Sequence, residues 1–302
     1  MSFFGKNTKP GLVAGIFLFA VFSACPSVSK ADLPLTIEAL ITDKGKVKLD
    51  ASITYVNSDR LGMATGEPIA IQTGSTSFIT LPTAIGETRG NNDTLVASLG
   101  LRYGLTDETE IYGRGAMLYT SSRGKDLSGP YNDSETRFSD AWAGANVRFK
   151  EDDQTAAVLG FAELALCEKH RKSEAFFKSW MLGLTTYRAI DPMVLSLTAA
   201  YQFNHPRKDG EEHYNPGNLM LINPSSAFAV NDRITLSTGL QWTNRRADRR
   251  NGERLGFRRT RTDLLLGLGY GISKEGTLNL TLKGNVSGRE GADLRLNWLH
   301  AF

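Results

Sequence analysis

The chain has 302 residues, with 35 Lys plus Arg against 32 Asp plus Glu, 41% hydrophobic residues, 30 Gly, 10 Pro and 2 Cys. A charged fraction of 22% at this glycine content excludes a disordered chain or a coiled coil, and no apolar run reaches the roughly 18 residues of a membrane helix. Two Cys make neither a disulfide scaffold nor a four-ligand zinc site, so no metal and no cofactor is expected.

Residues 1–31 read as an export signal. Lys6 and Lys9 precede an apolar stretch from Gly11 to Ala24, and small residues follow up to Ala31, where cleavage is expected. The alternative is a lipoprotein box, Phe22-Ser23-Ala24-Cys25. Because this segment holds three Lys and no acid, the remainder carries basic and acidic side chains in equal number, 32 of each. The precursor charge of +3 is therefore no sign of a nucleic-acid partner. Residues 32–46, with Leu35, Ile37, Ala39 and Ile41 ahead of Asp43-Lys44-Gly45, read as a periplasmic extension or plug, or as an extra strand.

From Val47 onward the pattern is two-residue alternation. Val47, Leu49, Ala51, Ile53 and Tyr55 share one face, and Lys48, Asp50, Ser52 and Thr54 the other. Comparable segments recur near 46–56, 93–104, 109–119, 138–149, 156–166, 178–188, 194–204, 219–230, 233–243, 260–272, 277–287 and 292–302. The fifth is weakened by two apolar faces and the eighth by Pro224. Each is about 10 residues long, enough for a tilted strand to cross a bilayer. Links after the even-numbered segments are short and turn-like, and those after the odd-numbered ones are longer and polar, except the short Gly288–Gly291 link. The expectation is an all-β transmembrane up-and-down barrel of about twelve strands over 47–302, with its short turns and both termini in the periplasm. Trp298 and Phe302, on the apolar face of the last segment, fit both an aromatic girdle and the terminal insertion signal read by barrel-assembly machinery.

The phrases Leu101-Arg102-Tyr103-Gly104-Leu105-Thr106-Asp107, Glu110-Ile111-Tyr112-Gly113-Arg114, Leu221-Ile222-Asn223-Pro224-Ser225 and Ala229-Val230-Asn231-Asp232-Arg233 resemble the outer-membrane transporters known as meta-pathway phenol-degradation proteins. They are also similar to the twelve-stranded barrel of Fap-type amyloid secretion channels. These are barrel-turn phrases, so the resemblance implies fold and location more than cargo. No coiled-coil segment stands ahead of the first strand, which points away from amyloid secretion and toward a general channel.

In this phase Lys48, Asp50, Arg102, Glu110, Arg114, Asp140, Arg148, Lys283 and Arg295 face the lumen. They are either a selectivity element of a pore or a plug of salt bridges. Eight Arg fall between 245 and 261, and Arg245, Arg246, Arg249, Arg250, Arg254 and Arg258 form a surface-loop basic patch that would meet lipopolysaccharide phosphates or simply be solvated. No nucleophile motif accompanies His170, His205, His213, His300 or Cys167, so no enzyme is expected. The expected function is passive passage of a solute or exported polypeptide through a mixed-charge lumen. The alternative is a plugged structural or adhesive barrel. Expected partners are outer-membrane lipid and lipopolysaccharide, the assembly machinery, the transported species and, in one reading, further copies of the chain.

Overall fold

The computed structural model describes residues 41–60, 63–64, 69–72, 78–81, 86–87, 89–126, 129–153, 155–170, 173–288 and 291–302. The expected leader over 1–31, Cys25 included, and residues 32–40 of the expected plug lie outside the described residues.

Twelve antiparallel strands close into one barrel. They are β1 (Val47–Arg60), β2 (Arg89–Gly104), β3 (Thr109–Asp126), β4 (Gly129–Lys150), β5 (Ala157–His170), β6 (Ser179–Ile190), β7 (Met193–Asn204), β8 (Leu219–Ala229), β9 (Ile234–Arg245), β10 (Arg259–Gly271), β11 (Gly276–Asn285) and β12 (Ala292–Ala301). Each pairs with its neighbours in sequence, and β12 pairs with β1 from Lys48 opposite Ala301 to Val56 opposite Asp293. Closure leaves no strand edge, the condition for a sheet in lipid.

The wall is inverted relative to a soluble protein. Leu99, Leu101, Leu184, Leu195, Leu236, Leu266 and Leu296 stand exposed on its outer side, and every strand adds comparable residues. Most of the buried residues, by contrast, are polar or charged. A continuous exposed apolar belt of this kind is a membrane surface.

The short connections carry their own hydrogen bonds. Asn231 Oδ1 accepts from the Arg233 and Ile234 N–H groups, Thr106 Oγ1 from Glu108 N–H, and Ser273 Oγ from Glu275 N–H. The opposite end departs from the sequence reading. Strands β3 and β4 run on through residues 120–126 and 129–137, where a long loop was expected, and stay paired from Thr120 opposite Glu135 to Asp126 opposite Gly129. Both faces of this extension are polar, so it has no alternation to announce it.

The later connections also form strands. Arg207–Asp209, Glu212–Asn215, Asp248–Arg250 and Glu253–Leu255 build a separate four-stranded sheet. Its second hairpin turns at Asn251 and Gly252, both at positive φ (50° and 88°), as a type I′ turn requires. Pro224, which weakens the eighth segment, is accommodated by a gap in pairing. Ile222 faces Trp242 and Ser225 faces Gly239, with no β9 partner for Asn223 or Pro224.

Candidate functional site: the lumen and its short-turn mouth

Alternation turns Lys48, Asp50, Arg102, Glu110, Arg114, Asp140 and Lys283 to the interior, where all are buried. Arg148 and Arg295 are on the same side and half-buried. A β-bulge opposite Ala116 and Met117 follows Asp140 along the wall and decides the position of Phe138. Because Ser139 is the extra residue, Phe138 points outward and both Ser139 and Asp140 are buried.

Glu110, with no exposed surface, is the hub. Its Oε1 accepts from Arg102 Nη1 at 3.1 Å and from Asn146 Nδ2 at 2.5 Å, and its Oε2 accepts from the Thr42 N–H at 2.7 Å. Arg102 also lies 3.6 Å from Asp50, which accepts a hydrogen bond from Asn297. A second knot forms where Arg114 donates to Glu163 Oε2 at 2.7 Å while the Tyr112 hydroxyl donates to Glu163 Oε1 at 2.8 Å. The two guanidinium groups sit over aromatic faces, Arg102 at 5.9 Å from the Tyr112 ring and Arg114 at 5.4 Å from the Trp142 ring. Lys283 pairs with Asp293 at 2.7 Å farther round the wall. Between the two knots lies a small cavity of about 20 Å³ lined by Asp50, Ser98, Arg102, Tyr112 and Arg114. Buried charge pairs offset their desolvation best where further hydrogen bonds satisfy the carboxylate, as they do at Glu110 and Glu163.

The facing arc is of different character. Phe161, Met181, Ala200 and Leu221 form an inward apolar cluster on β5 to β8. The Phe161 ring lies flat because residue 183 is glycine, where a Cβ would stand 2.1 Å from the ring. Around this cluster come small neutral side chains, with Thr185 bonded to Thr198 and Ser196 bonded to Ser225.

The end of the 32–46 segment enters the short-turn mouth. Ile41 and Thr42 are buried, and Ile41 packs on Ala157, Leu159 and Tyr187. Lys48 Nζ donates to the Ile41 carbonyl at 3.0 Å, and the Gly45 N–H donates to the Gly104 carbonyl at 2.8 Å. Gly104 has to be glycine, since a Cβ there would lie 2.0 Å from the Asp43 carbonyl oxygen. Asp43 and Lys46 close this turn at 2.8 Å, and Lys46 holds the Asp43 carboxyl below its ordinary range.

The basic patch read from 245–258 is divided. Arg245 turns inward to Asp248 at 3.0 Å, and Arg250 turns inward to Glu212 at 3.2 Å. Arg246, Arg249, Arg254 and Arg258 are exposed on the other side. At the chain end, Trp298 stacks on His300 with ring centroids 5.6 Å apart, and His300 meets Phe302 edge-on at 4.6 Å. His205 accepts a hydrogen bond from the Trp180 indole.

Sequence reasoning missed Glu163, Asn146 and Tyr112 as partners in the lumen. Glu163 lies in the segment with two apolar faces. Its signal is that it is the single acid between Ala157 and Cys167, in phase with Phe161 and Ala165.

The fold and the lumen together define a transmembrane β-barrel with a charged interior. No protein-family model and no curated protein matches the chain. Among solved structures it is similar to an outer membrane channel from Pseudomonas putida F1, at 11% identity over 92% of this chain and 100% of that one, with a TM-score of 0.59. It is also similar to the translocator domain of the autotransporter NalP from Neisseria meningitidis, at 10% identity over 88% and 92% of the two chains, with a TM-score of 0.50. Likenesses at this identity show the barrel fold alone.

Proposed function

We propose that this barrel sits in a bacterial outer membrane, short turns to the periplasm, and passes small solutes passively through a mixed-charge lumen. The observation that carries the reading is the asymmetry of the inner wall. Side chains just fill an eight-stranded barrel. Twelve strands enclose a wider interior, and here Ser196, Thr198, Ala200, Ser225, Ser237, Gly239, Gly267 and Gly269 on β7 to β10 fill little of it. A solute moving along this small-residue arc faces Arg102, Arg114 and Arg295 with their acids on the other side, and that field biases which ions pass. The resemblance to phenol-degradation transporters makes aromatic solutes the first to try, since the Phe161 cluster offers an apolar surface opposite the guanidinium groups.

A second reading is favoured by one observation, the lodging of Ile41 and Thr42 between Glu110, Lys48 and the Ala157–Leu159 wall. In that reading residues 32–46 plug the periplasmic mouth, and the barrel acts through its outer hairpins. Deleting residues 32–46 separates the two. A rise in single-channel conductance on deletion identifies the segment as a plug, unchanged current dismisses it, and a barrel silent with and without the segment contradicts the channel.

A further inference from the structure

The four-stranded sheet above β7 to β10 has two chemically distinct faces. Register places Arg207 opposite Tyr214, Asp209 opposite Glu212, Tyr214 opposite Arg250 and Arg250 opposite Glu253. These residues form the inner face, where Arg207 pairs with Glu168, Arg250 with Glu212, and the Tyr214 hydroxyl donates to Asp248. The alternate positions pair Lys208 with His213 and Arg249 with both Asn215 and Arg254. Lys208, His213, Arg249 and Arg254 are exposed, and the acids of these strands lie on the other face.

Arg249 and Arg254 are the telling pair. Like charges directly opposite each other on adjacent strands repel. Among the described residues neither has an acidic partner. A cross-strand arginine pair of this kind is stabilised by an anion lying across both.

Position selects the anion. Along β9 Leu236 and Leu240 are exposed, Trp242 is half-buried and Asn244 is buried where it accepts a hydrogen bond from Arg258, and exposed Arg246 follows. Four residues of a strand tilted by about 45° rise only about 10 Å. Arg246 and Arg258 therefore begin the basic face just above the apolar belt, and Arg249 and Arg254 continue it on the separate sheet. Phe257, 87% exposed, stands next to Arg258 at the boundary.

We infer that this outward basic face binds the phosphorylated sugar headgroup of an outer-leaflet glycolipid, with Arg249 and Arg254 clasping one phosphate between them. The inference rests on the outer-membrane orientation proposed above and is independent of whether the lumen conducts.

The test is native mass spectrometry of the folded full-length barrel released from detergent micelles. The protein is offered equal amounts of bisphosphorylated lipid A and phosphatidylcholine. The wild type is expected to retain lipid A selectively. R249Q/R254Q, altered only at exposed side chains, is expected to lose that retention about tenfold or more, with each single variant intermediate. K274Q, at the short-turn end, leaves it unchanged. Equal retention by R249Q/R254Q, or equal retention of lipid A stripped of its phosphates, overturns the inference. Complete displacement by millimolar orthophosphate also overturns it, since the face would then read a free anion. Failure of the barrel to insert into a planar bilayer is a separate result that counts against the membrane reading alone.

Discussion

Replacing Glu110 by alanine removes an acceptor shared by three donors and leaves Arg102, Asn146 and the Thr42 N–H in place. Breaking a buried ion pair from one side costs about 3–5 kcal/mol, and a buried donor left without an acceptor about 1–3 kcal/mol. Asp50, 3.6 Å from Arg102 Nη2, takes up part of the orphaned charge, so the expected loss is about 4 kcal/mol. E110Q keeps an oxygen for Arg102 or Asn146 and removes only the charge, for an expected loss of about 2 kcal/mol. Either is a large share of a stability on the order of 5–15 kcal/mol. The assay is urea unfolding of the barrel in micelles, followed by tryptophan fluorescence and by gel mobility, with equal slopes required before midpoints are compared. A loss below about 1 kcal/mol for E110A would refute the reasoning. It would mean that lumen water satisfies the three donors and that the knot is wet surface rather than a buried brace.

Three further outcomes follow from the same geometry. K48A/R114A removes two lumen cations while leaving Glu110 and Glu163, so the reversal potential in a salt gradient is expected to move toward cation preference; an unchanged potential places the ion path elsewhere. G183V puts a Cβ 2.1 Å from the Phe161 ring and drives that ring off the wall, with an expected cost of about 1–3 kcal/mol and a lower conductance; wild-type current and stability would show that the ring has room to move. In the outer sheet, burial opposes ionisation of Asp248, but Arg245, the Gly217 N–H and the Tyr214 hydroxyl together hold its carboxyl below the ordinary 3.8. A depressed carboxyl contributes stability that is fully present above its unfolded value and lost as pH falls through the folded one. Burial and Asp248 push the Tyr214 hydroxyl up, so that group keeps its proton, and its contribution is lost only in strong alkali. Proteolysis of the 205–218 and 246–258 hairpins is therefore expected to be flat across neutral pH and to rise only below 3.8; a step at neutral pH would refute this assignment.

The barrel was legible in the sequence because lipid imposes a strict rule. Leu95, Leu99, Leu101 and Tyr103 have to be apolar, while Val96, Ser98, Gly100 and Arg102 are released from that requirement, and this contrast makes the period visible. The short turns were legible for a local reason, as Thr106, Asn231 and Ser273 bond their own backbone. Above the membrane both faces meet water, so β3 and β4 continue through residues 120–126 and 129–137 without a periodic signature. The Asp209-Gly210 and Asn251-Gly252 pairs were the local cues to the outer sheet, the second of them inside a run of arginines.

The interior was legible only in part. Phase alone assigned a side to Lys48, Arg102 and Glu110, since a period of two leaves one choice once the apolar face is known. Partners were not legible, because Arg114 and Glu163 stand on β3 and β5 with β4 between them, a juxtaposition set by barrel curvature and by the small inward Gly144. The bulge at Ser139, which turns Phe138 outward while Asp140 keeps the inward side its phase assigns, has no signature in composition.

Single-channel current from the purified, refolded barrel in a planar bilayer tests the central claim most directly. The account predicts discrete conductance steps with a reproducible ion preference, with or without residues 32–46, and a shift toward cations in K48A/R114A. A bilayer that stays silent with both forms, from protein shown to be folded by β-sheet circular dichroism, would contradict it.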